Sequence, residues 1–261
     1  MAGKFLKTGV FIMLLVLLGA LLIARSVEPE RARAEPSPAA AGTPPAAGTP
    51  APSVSPAPGP SPTPEPYADR PDIDISAWEY TLVNGENPLP ADYIPQLRTV
   101  YDGQSFDVRA ADALEAMVSE ARAAGLVVYI TSSYRAYAAQ EYLFGKKVSE
   151  YVYSEGSEAA AVEKAKTIVA YPGTSEHQLG LACDLVDQDY AYMDESLEYT
   201  ALSVWLAANC AEYGFILRYP KDKTALTGVM FEPWHFRYVG EAAAAYIMSN
   251  GLALEEFVAL Y

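Results

Sequence analysis

The sequence predicts an α+β fold, a small mixed or antiparallel sheet packed with helices. Helical periodicities of ordinary length share the chain with several short apolar runs that read as strands. The two patterns do not alternate regularly, and there is no nucleotide-binding glycine fingerprint, which sets aside a doubly wound parallel sheet. No internal repeat is present.

The stretch FDVRAADALEAMVSEARAAG predicts the first helix, with Asp107 as N-cap, Leu114, Met117, Val118 and Ala121 as the apolar stripe, and Gly125 as the stop. LVVYI, 126–130, then reads as a buried strand running into TSSYRAYAAQ, so Arg135 falls near a strand end where a helix begins. Two helical stretches follow, at about 136–150 and 157–170. LACDLVD, 181–187, is a short strand, and ALSVWLAANCAEYG a helix closed by Gly214. FILRY, 215–219, and WHFRYV, 234–239, are further strands, and 240–260 is helical.

Ahead of this domain, residues 35–66 are almost entirely Pro, Ala, Ser, Thr and Gly. Such a composition cannot build a core and favours extended backbone, so 26–66 is expected to be a semi-rigid disordered spacer. Residues 1–8 carry Lys4 and Lys7 and precede an apolar run from Gly9 to Ala24. The run is expected to be a signal anchor over 9–25, with 1–8 a cytoplasmic tail and the remainder exported. A cleaved signal peptide is the competing reading. Ala32-Arg33-Ala34 resembles a cleavage site but lies well past the run, and no cysteine follows to carry a lipoprotein anchor. The folded domain is expected over 67–261, with the membrane as a partner of the anchor.

The formal net charge of -15 excludes an electrostatic nucleic-acid binder, which would show a basic footprint. Cys183 and Cys210 are the only cysteines, too few for a disulfide scaffold or a thiolate zinc site, and are expected to be unpaired.

Only two histidines occur in the 261 residues. His177 lies in GTSEHQLGLACD, a polar stretch in which Gly180 permits a turn and Asp184 interrupts an apolar strand. A carboxylate among Ala182, Cys183, Leu185 and Val186 is costly to bury unless paired or metal-bound; a salt bridge or an exposed strand edge are the blander accounts. His235 lies in FEPWHFRYVG, where Pro233 rules out a helix interior. In a strand beginning near Trp234, period two sets Trp234, Phe236 and Tyr238 on one face and turns His235 and Arg237 to the other. Two histidines and one aspartate make a workable zinc set with an open fourth position. Glu232 is then placed to take a proton from water and return it to a leaving amine. Arg135 reads equally as a clamp for a substrate carboxylate or oxyanion and as a surface ion-pair partner. No HExxH helix is present.

SSYRAYAAQ, SEHQLGLACDL and EPWHFRYVG, in that order, resemble the signature segments of the zinc D-alanyl-D-alanine carboxypeptidase family. That family includes the VanY-type vancomycin-resistance enzymes and related LD-carboxypeptidases. LVNGENPLPADYIPQL, 82–97, is similar to the family's opening segment, so the resemblance covers about 82–240. It implies a LAS-type metallopeptidase fold with the zinc site at the sheet. It also implies one Zn2+ held by His177, Asp184 and His235, with Glu232 as general base and acid. Arg135 and Ser175 would engage the peptide and its tetrahedral intermediate, and Gln140 would line the site. Ser133 stands where many relatives have glycine, and Cys183 where an aliphatic residue is commoner; neither removes a catalytic group. The implied reaction is hydrolysis of the C-terminal D-alanine from peptidoglycan stem peptides or their lipid-linked precursor, without a serine for penicillin to acylate. LD-carboxypeptidase or endopeptidase action, or an inactive wall-peptide binding module, are the alternatives.

Overall fold

The computed structural model describes residues 67–187 and 193–261. The chain enters through a 3-10 turn at Trp78–Tyr80 and a short antiparallel pair, β1 (Leu97–Thr99) and β2 (Ser105–Asp107). Helix α1 (Ala111–Ala123) buries Leu114, Met117, Val118 and Ala121, the stripe read from the sequence. Gly125 ends it at φ +84, with Leu126 N–H donating to the Ala121 carbonyl and Gly125 N–H to that of Arg122. Asp107 is not the N-cap. It closes β2, where its carboxylate receives the Arg109 backbone N–H and guanidinium, and the helix starts at Ala111 instead.

β3 (Tyr129–Ser132) is followed by α2 (Tyr137–Glu155) and α3 (Glu158–Lys166). β4 (Ala182–Val186) comes next, then α4 (Ala201–Asn209), whose 3-10 extension reaches Tyr213 before Gly214. β5 (Phe215–Leu217), the short α5 (Thr224–Thr227), β6 (His235–Tyr238), α6 (Glu241–Asn250) and α7 (Leu254–Val258) complete the domain. The main sheet has four antiparallel strands in the order β3-β4-β6-β5. The buried strand expected at 126–130 is instead displaced and half exposed. β3 is an edge strand with only one face covered here, so alternation leaves Tyr129, and Val127 just before the strand, exposed while Val128 and Ile130 enter the core.

Alternation divides the two faces of the sheet. Ile130, Cys183, Leu185 and Phe236 pack on one side against α1 and α4. Ile216 packs on the other against α6 and α7. Each fully buried Leu or Phe contributes about 1.5–3 kcal/mol, so the core face holds β4 and β6 in fixed register. Cys183 and Cys210 are free and buried.

Among the described residues no helix is long and apolar enough to cross a membrane. The expectation of a membrane partner and a single-pass membrane location is corrected to this extent: no described helix supplies such a span. The longest described helix, α2, carries Lys146, Lys147 and Glu150, which a hydrocarbon layer would not accept. The tail at 1–8, the anchor segment at 9–25 and the spacer at 26–66 lie outside the described residues.

Candidate metal centre

The register of the sheet assembles the centre. Asp184 on the central strand β4 is the cross-strand partner of His235 on β6 and of Ser132 on β3. Cys183, one residue earlier, pairs with Phe236 on the core face, so the aspartate is turned to the opposite side. His177 arrives from the 3-10 turn Glu176–Leu179, which Gly180 ends at φ +71. The two imidazoles meet edge to face with centroids 4.9 Å apart.

His177, Asp184 and His235 are all buried, and one ligating atom from each lies within 4.8 Å of the others. His177 Nε2 is 3.2 Å from Asp184 Oδ2, and His235 Nδ1 is 3.1 Å from Asp184 Oδ1. His177 Nδ1 donates to the Ser133 carbonyl at 2.7 Å, which leaves Nε2 as the lone-pair nitrogen facing the aspartate. Two nitrogens and one carboxylate converging at the wall of a cleft form the three-ligand donor set of a catalytic zinc site, with the fourth position open to water. The residues present therefore fit a single Zn2+.

The electrostatics separate the acids of the site. Burial disfavours the Asp184 carboxylate, but His177 and His235 outweigh it and hold its pKa well below the usual range. Burial lowers the pKa of His177. It also opposes charge on His235, yet Asp184 and Glu176 raise that pKa to about 9. Glu232 behaves differently: burial dominates and lifts its pKa to about 7. Its Oε2 lies 3.7 Å from His235 Nδ1, and the two residues are tied by His235 N–H donating to the Glu232 carbonyl at 3.2 Å. A carboxylate near neutrality, beside a metal-binding triad, is suited to accept and return a proton.

Arg135 extends from the end of β3, its backbone N–H donating to the His177 carbonyl at 3.0 Å. Its guanidinium donates to Ser132 Oγ (2.6 Å) and Gln140 Oε1 (2.9 Å), and Nη2 lies 3.9 Å from Asp184 Oδ2. Gln140 is fully buried and donates to the Ala170 carbonyl at 2.7 Å, so its contact with the centre runs through Arg135. Arg135, Ser175, Glu232 and the triad line one cleft of about 440 Å³, which continues past Trp234 and Val169 to Lys146 and Lys147.

Trp234 faces this cleft with His235 rather than sharing the Phe236 face, because β6 starts only at His235 and the preceding turn does not obey strand alternation. Alternation places Arg237 on the His235 face, but the sequence reading assigns no role to it, to Glu176 or to Arg218, all buried beside the centre. Three charged residues in otherwise apolar or signature segments were the available signal, but their mutual pairing is set by sheet packing.

Comparison with known proteins agrees with this geometry. The VanY family profile, D-alanyl-D-alanine carboxypeptidase, matches residues 103–241. A D-alanyl-D-alanine carboxypeptidase of Enterococcus faecalis is 42% identical over 185 residues, covering 71% of this chain and 67% of its own. A mutant of the vancomycin-resistance D,D-pentapeptidase VanY from a VanB-type cassette, solved in complex with Zn(II), is 41% identical. Its TM-score is 0.62, with coverage of 70% of this chain and 99% of that one. The LdcB LD-carboxypeptidase structure is 38% identical with a TM-score of 0.60, covering 67% and 83%. With the triad, the sheet and the profile in agreement, the chain belongs to the VanY D-alanyl-D-alanine carboxypeptidase family.

Proposed function

We propose that this protein removes the C-terminal D-alanine from peptidoglycan stem peptides by zinc-dependent hydrolysis, with Glu232 as the proton carrier. The observation that carries the reading is the buried His177–Asp184–His235 triad with a near-neutral carboxyl beside it. His177, Asp184 and His235 would hold the zinc ion, which would supply Lewis acidity toward a water and the scissile carbonyl. Glu232 takes the proton of the attacking water and delivers it to the departing amine of D-alanine. Arg135 holds the free carboxylate of the peptide and opposes negative charge developing at the carbonyl. Its hydrogen bonds to Ser132 and Gln140 support this role by fixing the guanidinium before substrate arrives. Gln140 contributes by orienting Arg135, and Ser175 contributes a hydroxyl to the cleft wall.

Similarity to the LdcB LD-carboxypeptidase supports a second reading, in which the last D-alanine of a tetrapeptide is removed instead. Zinc-loaded full-length protein incubated with pentapeptide and tetrapeptide muropeptides separates these cases by product mass. Loss of one alanine from the pentapeptide is the expected result. Loss only from the tetrapeptide selects the LD reading, and cleavage between internal residues makes the protein an endopeptidase. Stoichiometric zinc with no product from any stem would overturn hydrolysis.

A further inference from the structure

Glu176 precedes a metal ligand in sequence yet contributes no ligand itself. Its side chain is fully buried, and Oε1 alone receives both Arg218 Nε and Arg237 Nη1, each at 2.8 Å. Both arginines are anchored on their far sides. Arg218 forks onto Glu255 at 2.9 and 2.6 Å, and Arg237 donates to the carbonyls of Glu79 and Thr81 at 3.0 and 2.8 Å. Two arginines and two glutamates balance in charge, so the network is complete without Oε2. That oxygen has no hydrogen-bond partner among the described residues, and neither does His235 Nε2. The two orphaned atoms face each other at 3.6 Å, slightly beyond hydrogen-bond length, in a place water does not reach.

We propose that Glu176 is a positioning residue for the metal centre: its Oε2 accepts the Nε2 proton of His235 and thereby fixes the tautomer that turns a bare Nδ1 toward Asp184. The inference rests on the reading of the triad as the zinc site. A neutral imidazole carries one proton, and a nitrogen that ligates a metal cannot hold it. With Nδ1 facing the triad, the proton belongs on Nε2, where Glu176 supplies the acceptor. The arginine pair stops the carboxylate from turning away. His177 reaches the same end differently, through the Ser133 carbonyl on its Nδ1.

Glu176→Gln tests this because the replacement cannot satisfy both sides. Its amide oxygen is retained by the two arginines, which sets the NH2 group against Nε2–H, donor against donor. Full-length wild-type and variant proteins are titrated with zinc against a chromophoric chelator, with the unfolding midpoint of the metal-free forms measured in parallel. The expected result is a zinc affinity about 10–100-fold weaker in Glu176→Gln. Glu255→Gln, which disturbs the same network on the side away from His235, is expected to lower the midpoint while leaving zinc affinity unchanged. Equal affinity losses in the two variants, or none in Glu176→Gln, would overturn the positioning role. If Glu176→Gln does not fold, 15N-histidine spectra of zinc-loaded wild type decide. A protonated, exchange-protected His235 Nε2 is expected, and a proton on Nδ1 overturns the proposal. Wild-type protein that binds no zinc would overturn the metal reading itself, a result distinct from either outcome.

Discussion

Gly180 joins the turn that carries His177 to the strand that carries Asp184, and replacing it with alanine gives a stability loss that can be worked out in advance. The residue sits at φ +71, where an added Cβ costs about 1–2 kcal/mol. Its N–H donates to the His177 carbonyl at 3.1 Å, and its own carbonyl accepts from Asp107 N–H at 2.9 Å, so the backbone has little freedom to move. The new Cβ would lie 3.2 Å from the Asp107 nitrogen, 3.2 Å from Pro95 Cγ and 3.3 Å from Leu97 Cδ2. Crowding of this kind typically costs about 1–3 kcal/mol, and here one of the three neighbours is backbone. Lower chain entropy in the unfolded state offsets about 0.4–1 kcal/mol. The net expectation is a loss of about 2–3 kcal/mol, or roughly 5–10 °C in Tm for a domain of this size. Urea unfolding of the metal-free protein, followed by far-UV circular dichroism, measures it without the contribution of bound zinc. Gly125→Ala is the control, at φ +84 with no atom within 4 Å of the added carbon. It should cost only the backbone term of about 1 kcal/mol. A Gly180→Ala loss no larger than that of Gly125→Ala would refute the crowding argument.

Other expectations concern the site and the core. Glu232→Gln should keep one zinc per chain while kcat falls by about 10²–10⁴, read by D-alanine release; an unchanged kcat would remove Glu232 from proton transfer. His177→Ala should lose both bound zinc and hydrolysis, checked by metal analysis of the purified protein. As the base, Glu232 must be deprotonated, so activity falls as pH drops through its pKa. Burial sets that value at about 7 without metal, and a bound dication pulls it lower, so the acidic limb of kcat/KM should lie at or below neutrality and vanish in Glu232→Gln. Burial raises the Cys210 thiol to about 12 and the Cys183 thiol well above its ordinary value. Neither should react with iodoacetamide in the native protein, whereas both should after denaturation; rapid native labelling would contradict their burial.

The sequence by itself determined the α+β class and the stripe of α1, and it made His177, Asp184 and His235 a workable ligand set that the resemblance of the signature segments then singled out. Those features are local: period 3.6 marks the face of α1, period two separates His235 from Phe236, and a carboxylate amid Ala182, Cys183 and Leu185 is conspicuous because burying it is costly. The opening turn and edge were less legible. Asp107 resembles an N-cap until Arg109 claims its carboxylate, and LVVYI resembles a buried strand until the strand order places β3 at an edge. Only the tertiary structure decided how the site is supported. Gln140 stands behind Arg135, and Glu176 meets Arg218, Arg237 and His235 across gaps of 42 to 61 residues. Ion pairing of this kind depends on which strands lie side by side, and no periodicity along the chain encodes that. The register of β4 against β6 sets Asp184 opposite His235, so a set of promising residues becomes a centre only when the sheet closes.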